Sequence, residues 1–191
     1  MDQAGLLTHL LEALERHNVP YAIGGSHATM AYGEARLTND IDVVVDLDPA
    51  RWRALSAAFP ESDYYVSEDG ARTALARGGT FNVIHPDSGL KIDFFVPSND
   101  FERAEIGRAV RAPAQANRDA FFVSPEDVIV MKMRYFAEGG SDKHLRDIMG
   151  VMQSMGDRVD HGYIELWVER FDLRAVWAAV IERLNEPPAR G

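Results

Sequence analysis

Two aspartates, Asp40 and Asp42, stand one residue apart in the segment RLTNDIDVVVD. In a β-strand, residues i and i+2 point to the same face and lie about 7 Å apart along the chain. Like charges at that distance repel, and burying a carboxylate is costly unless a positive group compensates it. Two parallel carboxylates make a cradle for Mg²⁺, a hard cation that prefers oxygen ligands. The spacing therefore predicts a metal site at the start of a strand.

A second pair with the same spacing, Asp46 and Asp48, follows in DLDP. Here a turn at the strand end and a helix cap before Pro49 account for both residues. We assign this pair no role in a site, and it serves as an internal comparison for the first pair.

A Gly-Gly-Ser turn precedes the first pair by thirteen residues, at Gly24, Gly25 and Ser26. By itself such a sequence is most often only a turn. Between a strand and a helix, however, glycines let a ligand approach the backbone, and the helix N-terminus offers unpaired amides and a positive dipole end. Because Mg²⁺ held by carboxylates typically bridges substrate phosphates, the turn and the aspartates together predict a nucleotide site.

The elements that would position these residues follow from the apolar pattern. The front of the chain predicts helices over 3–17, 26–32 (with Ser26 as N-cap and Gly33 after its end) and 49–59, and strands over 21–25, 40–46, 80–85 and 90–96. Residues 86–89 predict a hairpin turn. From Ser124 onward the pattern becomes helical, with four apolar stripes. We therefore expect a mixed α/β domain over 1–120, a helical domain over 121–185 and a disordered tail over 186–191.

Composition narrows the class of protein. The 191 residues are 46% hydrophobic, contain no cysteine and carry a net charge of −10. The absence of cysteine excludes disulfides and zinc–sulfur sites and fits a reducing cytoplasm. The acidic N-terminus is not typical of a signal peptide, and the apolar run 175–181 is far shorter than the ~20 residues of a membrane span. The charge argues against a broad nucleic-acid surface. We expect a cytoplasmic protein without a membrane partner.

The segment AIGGSHATMAYGEARLTNDIDVVV resembles the signature of the DNA polymerase β-like nucleotidyltransferase superfamily. The form with Arg36, Thr38, Asp40 and Asp42 is most similar to the abortive-infection (AbiEii-type) toxin nucleotidyltransferases. SPEDVIVMKMRYF and DKHLRDIMGVM resemble the helical segment of that family, so the likeness covers about residues 18–152. The resemblance implies an α+β fold: a nucleotidyltransferase-type mixed β-sheet flanked by helices, followed by a C-terminal helical bundle.

The resemblance also implies a set of site residues. Asp40 and Asp42 would hold Mg²⁺, or Mn²⁺, on a nucleoside triphosphate. Asp93 in LKIDFFV matches the third acidic residue, which would complete a second metal site and help deprotonate the acceptor hydroxyl. Because side chains alternate along a strand, Asp93 faces this site only if the opposite face, which carries Ile92, packs on the helices. Otherwise Asp87 or Asp100 is the alternative third carboxylate.

Three further residues have two interpretations each. Arg36 is either a phosphate ligand or a surface charge, and Thr38 either bonds a phosphate or caps the strand entrance. Lys132 reaches the triphosphate or belongs to a solvated helix face. His27 is expected to be structural, and Asp147 is expected to pair with Lys143 along its own helix.

The sequence therefore predicts a Mg²⁺-dependent nucleotidyltransferase that moves a nucleoside monophosphate from an NTP to a hydroxyl of a protein, a tRNA or a small molecule. A local basic strip at Arg103–Ala112 would favour tRNA. A role in a toxin–antitoxin pair, with a cognate antitoxin as partner, is one option. The alternative is a non-catalytic nucleotide-binding or toxin–antitoxin partner module, against which the three intact aspartates argue.

Overall fold

The computed structural model describes residues 1–33 and 38–185. Arg36 and the tail 186–191 lie outside the described residues, so the predictions made for them are not addressed. The described chain forms two compact units. The first contains residues 1–31 and 38–124, and the second contains residues 32–33 and 125–185.

The first unit is built on a mixed sheet that has seven strands within the described residues, in the order β3-β4-β5-β2-β1-β7-β6. The strands are β1 Tyr21–Ile23, β2 Asp40–Val45, β3 Tyr65–Val66, β4 Gly79–His85, β5 Leu90–Val96, β6 Val110–Gln115 and β7 Arg118–Phe122. At the centre, β2 runs parallel to β5 and antiparallel to β1. The predicted hairpin is confirmed, because β4 and β5 pair antiparallel across the turn at residues 86–89.

Helices join these strands: α1 Gln3–Arg16, α2 Gly25–Tyr32, α3 Pro49–Leu55, α4 Glu68–Arg77 and α5 Asp100–Gly107. The predicted cap of α3 is confirmed. The Asp48 carboxylate accepts hydrogen bonds from the backbone N–H groups of Ala50 and Arg51, both at 2.8 Å, and Pro49 is the first helical residue. Asp48 thus has a structural function, as expected for the comparison pair.

One face of the central strands forms the core of this unit. Ile41, Ile92 and Phe94 are fully buried. The Phe94 ring stacks on Phe81 with a centroid distance of 5.0 Å, and Trp52 packs edge-on against Phe94 at 5.8 Å. Because side chains alternate along a strand, the residues between them point to the opposite face.

The second unit contains α6 Pro125–Gly139, α7 Asp142–Met155, α8 His161–Arg170 and α9 Arg174–Asn185. Each helix buries part of its predicted apolar stripe, with Val128, Ile148, Ile164 and Val180 buried. The predicted α+β class with a helical C-terminal region is confirmed. Among the helices of residues 1–33 and 38–185, none has the length and apolar character needed to cross a membrane.

Candidate active site

Three carboxylates share one face of the central strands. In the parallel pairing of β2 with β5, Asp42 lies opposite Asp93 and Asp40 lies opposite Lys91. Neighbouring strands are about 4.8 Å apart, so Asp42 and Asp93 stand side by side. The condition set for Asp93 is met, because Ile92 is buried on the opposite face. The alternatives Asp87 and Asp100 are therefore not needed to supply a third carboxylate.

The turn after β1 touches this carboxylate face. The Gly24 N–H donates a hydrogen bond to the Asp42 carbonyl oxygen at 2.9 Å. Gly25 has φ +54°, and a Cβ added there would overlap the Asp42 carboxylate and lie 2.9 Å from the Asp42 Cβ. Only glycine fits such an approach without strain. The two separate sequence signals, turn and aspartate pair, thus meet at one place.

The start of α2 differs from the prediction. The helix begins at Gly25, so Ser26 lies inside its first turn and is not the N-cap. The backbone of Gly25 itself is in the left-handed region, with φ +54°. The N-terminal amides of α2 remain adjacent to the carboxylates, where they suit an anion.

A lysine compensates the negative charges. The Lys91 Nζ donates to Asp93 Oδ2 at 2.6 Å and lies 3.4 Å from Asp40 Oδ2. The hydrogen bond to Asp93, helped by the charges of Asp93 and Asp40, raises the pKa of Lys91 against the opposing effect of partial burial. Asn82 on β4 donates to the other Asp93 oxygen, Oδ1. Neither Lys91 nor Asn82 was predicted as a site residue, although Lys91 lies two residues before Asp93 and so on the same strand face.

The supporting candidates lie in different surroundings. The Thr38 hydroxyl donates to the Asp40 carbonyl oxygen at 3.3 Å, the contact expected if it caps the strand entrance. His27 is buried, and burial lowers its pKa, so the ring is neutral at pH 7, as suits a structural residue. Arg36 lies outside the described residues.

Lys132 belongs to the second unit and is not on a solvated helix face. Its Nζ donates to Asp147 Oδ2 at 2.7 Å, and the two side chains are only 7% and 10% exposed. Asp147, expected to pair locally with Lys143, therefore bonds a residue of another helix. The solvated-face interpretation is wrong because α7 covers this side of α6.

The donor set suits a hard divalent cation, since carboxylate oxygens are the ligands that Mg²⁺ prefers. In the part of the chain that the structure describes, no three acidic, histidine or cysteine side chains are gathered as a ready metal cluster. The Lys91 ammonium bonds two of the three carboxylates and supplies the positive charge there. The carboxylates thus suit Mg²⁺ in their chemistry and in sharing one strand face, as is the case for Asp40, Asp42 and Asp93. In this structure the Lys91 ammonium is the cation beside two of them.

No protein-family model matches the sequence, and no curated protein matches it either. Solved structures do share its fold. The crystal structure of ANT(2'')-Ia in complex with adenylyl-2''-tobramycin is similar with a TM-score of 0.60 and 23% identity, over 92% of this chain and 98% of that chain.

The solution structure of the same antibiotic-resistance factor gives a TM-score of 0.59, also at 23% identity, over 95% of this chain and 96% of that chain. An antigenic nucleotidyltransferase-like protein from Paracoccidioides brasiliensis gives 0.55 at 18% identity, over 93% of this chain and 91% of that one. The chain therefore has the fold of nucleotidyltransferases.

Proposed function

We propose that the protein is a Mg²⁺-dependent nucleotidyltransferase that moves a nucleoside monophosphate from an NTP to a hydroxyl group. The proposal rests on one observation: Gly25 packs directly against the Asp42 side chain. Asp42 in turn lies opposite Asp93 on the neighbouring strand. A phosphate bound at the glycine turn lies beside carboxylates suited to Mg²⁺. The shared fold with ANT(2'')-Ia supports the same chemistry.

Each residue has a distinct part in this reaction. The backbone at Gly24 and Gly25 and the first turn of α2 orient the phosphates. Asp40, Asp42 and Asp93 would hold Mg²⁺, which when bound would neutralise the triphosphate and stabilise the entering and leaving oxygens. Asp93 accepts the proton of the acceptor hydroxyl as that oxygen bonds the α-phosphorus and the bond to pyrophosphate breaks. Asn82 donates to one Asp93 oxygen, Oδ1, and so orients the carboxylate.

For the acceptor, we propose a hydroxyl of a cationic small molecule. Net charge −10 attracts cations and repels the tRNA backbone. In the expected basic strip, Arg103 lies 3.5 Å from Asp100 and Arg111 lies 3.4 Å from Asp119, so carboxylates offset both charges. The adenylyl-2''-tobramycin bound to ANT(2'')-Ia is a product of this kind on a similar fold.

The test is incubation with each α-labelled NTP and Mg²⁺ together with three acceptor pools: hydroxylated cationic small molecules including tobramycin, tRNA, and extract proteins. Label on a small molecule, lost when Mg²⁺ is chelated, is the expected result. Label on tRNA or protein keeps the reaction type but replaces the acceptor. Nucleotide binding without transfer to any pool would favour the non-catalytic module. The AbiEii-type specificity, the antitoxin partner and the cytoplasmic location stay predictions.

A further inference from the structure

The Lys91 side chain is held among the carboxylates by strand register. Lys91 lies opposite Asp40 and two residues before Asp93 on the same face. Its Nζ contacts Asp93 Oδ2 at 2.6 Å and Asp40 Oδ2 at 3.4 Å, with its own side chain 35% exposed and that of Asp93 12% exposed. Two contacts fixed by neighbouring strands make Lys91 part of the site and not a mobile surface charge.

A divalent cation on this face needs the same oxygen atoms. An ammonium ion and Mg²⁺ that both contact Asp93 Oδ2 repel each other, so the bound ammonium weakens binding of the metal. We infer that Lys91 is an internal counterion that competes with the divalent cation for Asp93 Oδ2 and Asp40 Oδ2. This inference rests on the proposed function only in taking the carboxylates as the cation's ligands.

The competition has a consequence for the order of binding. A free cation must displace the ammonium from its two partners without offering it another anion. A cation that arrives with a triphosphate brings phosphate oxygens that the released ammonium can contact. Lys91 thus makes the site weak for the metal alone and stronger for metal with nucleotide, and it acts as a positioning residue.

The experiment is calorimetric titration of the full chain with Mn²⁺ alone, comparing the wild type with Lys91→Met and Lys143→Met. Lys143 is exposed on α7, so its replacement removes one positive charge elsewhere. We expect Lys91→Met to lower the Mn²⁺ dissociation constant about tenfold or more and Lys143→Met to leave it unchanged. Without metal, Lys91→Met melts lower than Lys143→Met, because the carboxylates lose their counterion, and Mn²⁺ reverses this difference.

Lys91→Gln is the second variant, since it keeps a hydrogen-bond donor and loses the charge. If either Lys91 variant is unfolded without metal, recovery of its circular dichroism with Mn²⁺ supports the competition, and failure to recover overturns it. Equal Mn²⁺ affinity of the Lys91 and Lys143 variants, or no Mn²⁺ binding by any of them, also overturns it. Tighter Mn²⁺ binding in a protein that transfers no nucleotide would leave this inference standing and remove the proposed function.

Discussion

At the scale of single residues, the spacing of Asp40 and Asp42 and the Gly-Gly turn predicted two parts of one site, and both lie together. Asp93 needed a family resemblance, because a lone aspartate in an apolar strand carries no signal of its own. Because side chains alternate along a strand, Asp93 faces the site only if Ile92 packs in the core, and Ile92 is buried.

The position of Lys91 could not be predicted from local spacing alone. The alternation of side chains along the strand puts it on the Asp93 face, but its contact with Asp40 depends on the register of β2 against β5. That register joins residues about fifty positions apart, and no local pattern specifies it. This lysine offsets the repulsion between the neighbouring aspartates, and the spacing of the aspartates gives no indication of it.

Gly25→Ala should destabilise the protein and abolish triphosphate binding. The new Cβ would overlap the Asp42 carboxylate on a backbone with φ +54°. Loss of the left-handed freedom alone costs about 1 kcal/mol, and displacement of Asp42 adds to it. Urea unfolding gives the stability, and calorimetry with a non-hydrolysable NTP and Mg²⁺ gives the affinity.

Gly89→Ala is the matched control, because Gly89 has φ +68° but a Cβ there meets nothing within 4 Å. It carries the backbone cost without the overlap and should bind nucleotide normally. Equal unfolding free energies and equal affinities for the two variants would contradict the contact between the turn and Asp42.

At the scale of elements, the segments with a clear apolar period were predicted correctly, and the polar strands at the edge of the sheet were missed. The β4–β5 hairpin and the four C-terminal helices carry clear periodicity and were predicted. The β6–β7 hairpin was missed because β6, VRAPAQ, is an edge strand with proline and mostly polar or small residues. The edge strand β3 has only two residues, too few for a pattern.

Phe94→Ala should be among the most destabilising changes in the first unit. Phe94 is fully buried behind the carboxylate face, stacked on Phe81. Such a truncation typically costs about 3–5 kcal/mol. Phe121→Ala is the control, since that ring is 45% exposed and its loss should cost far less. Urea unfolding followed by tryptophan fluorescence compares them, and similar losses would contradict the packing described for β5.

The pair of Lys132 with Asp147 separates structural from nucleotide roles. Lys132→Met leaves a buried carboxylate without this partner, which typically costs about 3–5 kcal/mol. The double variant Lys132→Met/Asp147→Leu should recover much of that loss. If Lys132 instead serves the triphosphate, the double variant regains stability while its NTP affinity stays low. Thermal melting and nucleotide titration of both variants distinguish the two roles.

At the scale of the whole molecule, the similarity to ANT(2'')-Ia spans 92% of this chain, so it includes both compact units. The predicted boundary at residue 120 falls inside β7, because the polar β6–β7 hairpin was not predicted from the sequence. The whole chain is acidic, which agrees with a cationic acceptor and places the greatest need for compensating cations where the carboxylates converge.

In the proposed function, the carboxylates of β2 and β5 carry nucleotidyl transfer. The measurement is label transfer from an α-labelled NTP by Asp42→Asn, Asp93→Asn and the control Asp46→Asn, with NTP affinity titrated in parallel. Asp46 directly follows β2, and its side chain is 60% exposed and paired with Arg51 at 2.7 Å. We expect transfer to fall about 10²-fold or more in Asp42→Asn and Asp93→Asn, NTP affinity to stay near normal in Asp93→Asn, and transfer to stay at the wild-type rate in Asp46→Asn. Near-normal transfer by Asp42→Asn or Asp93→Asn would mean that these carboxylates do not carry the reaction.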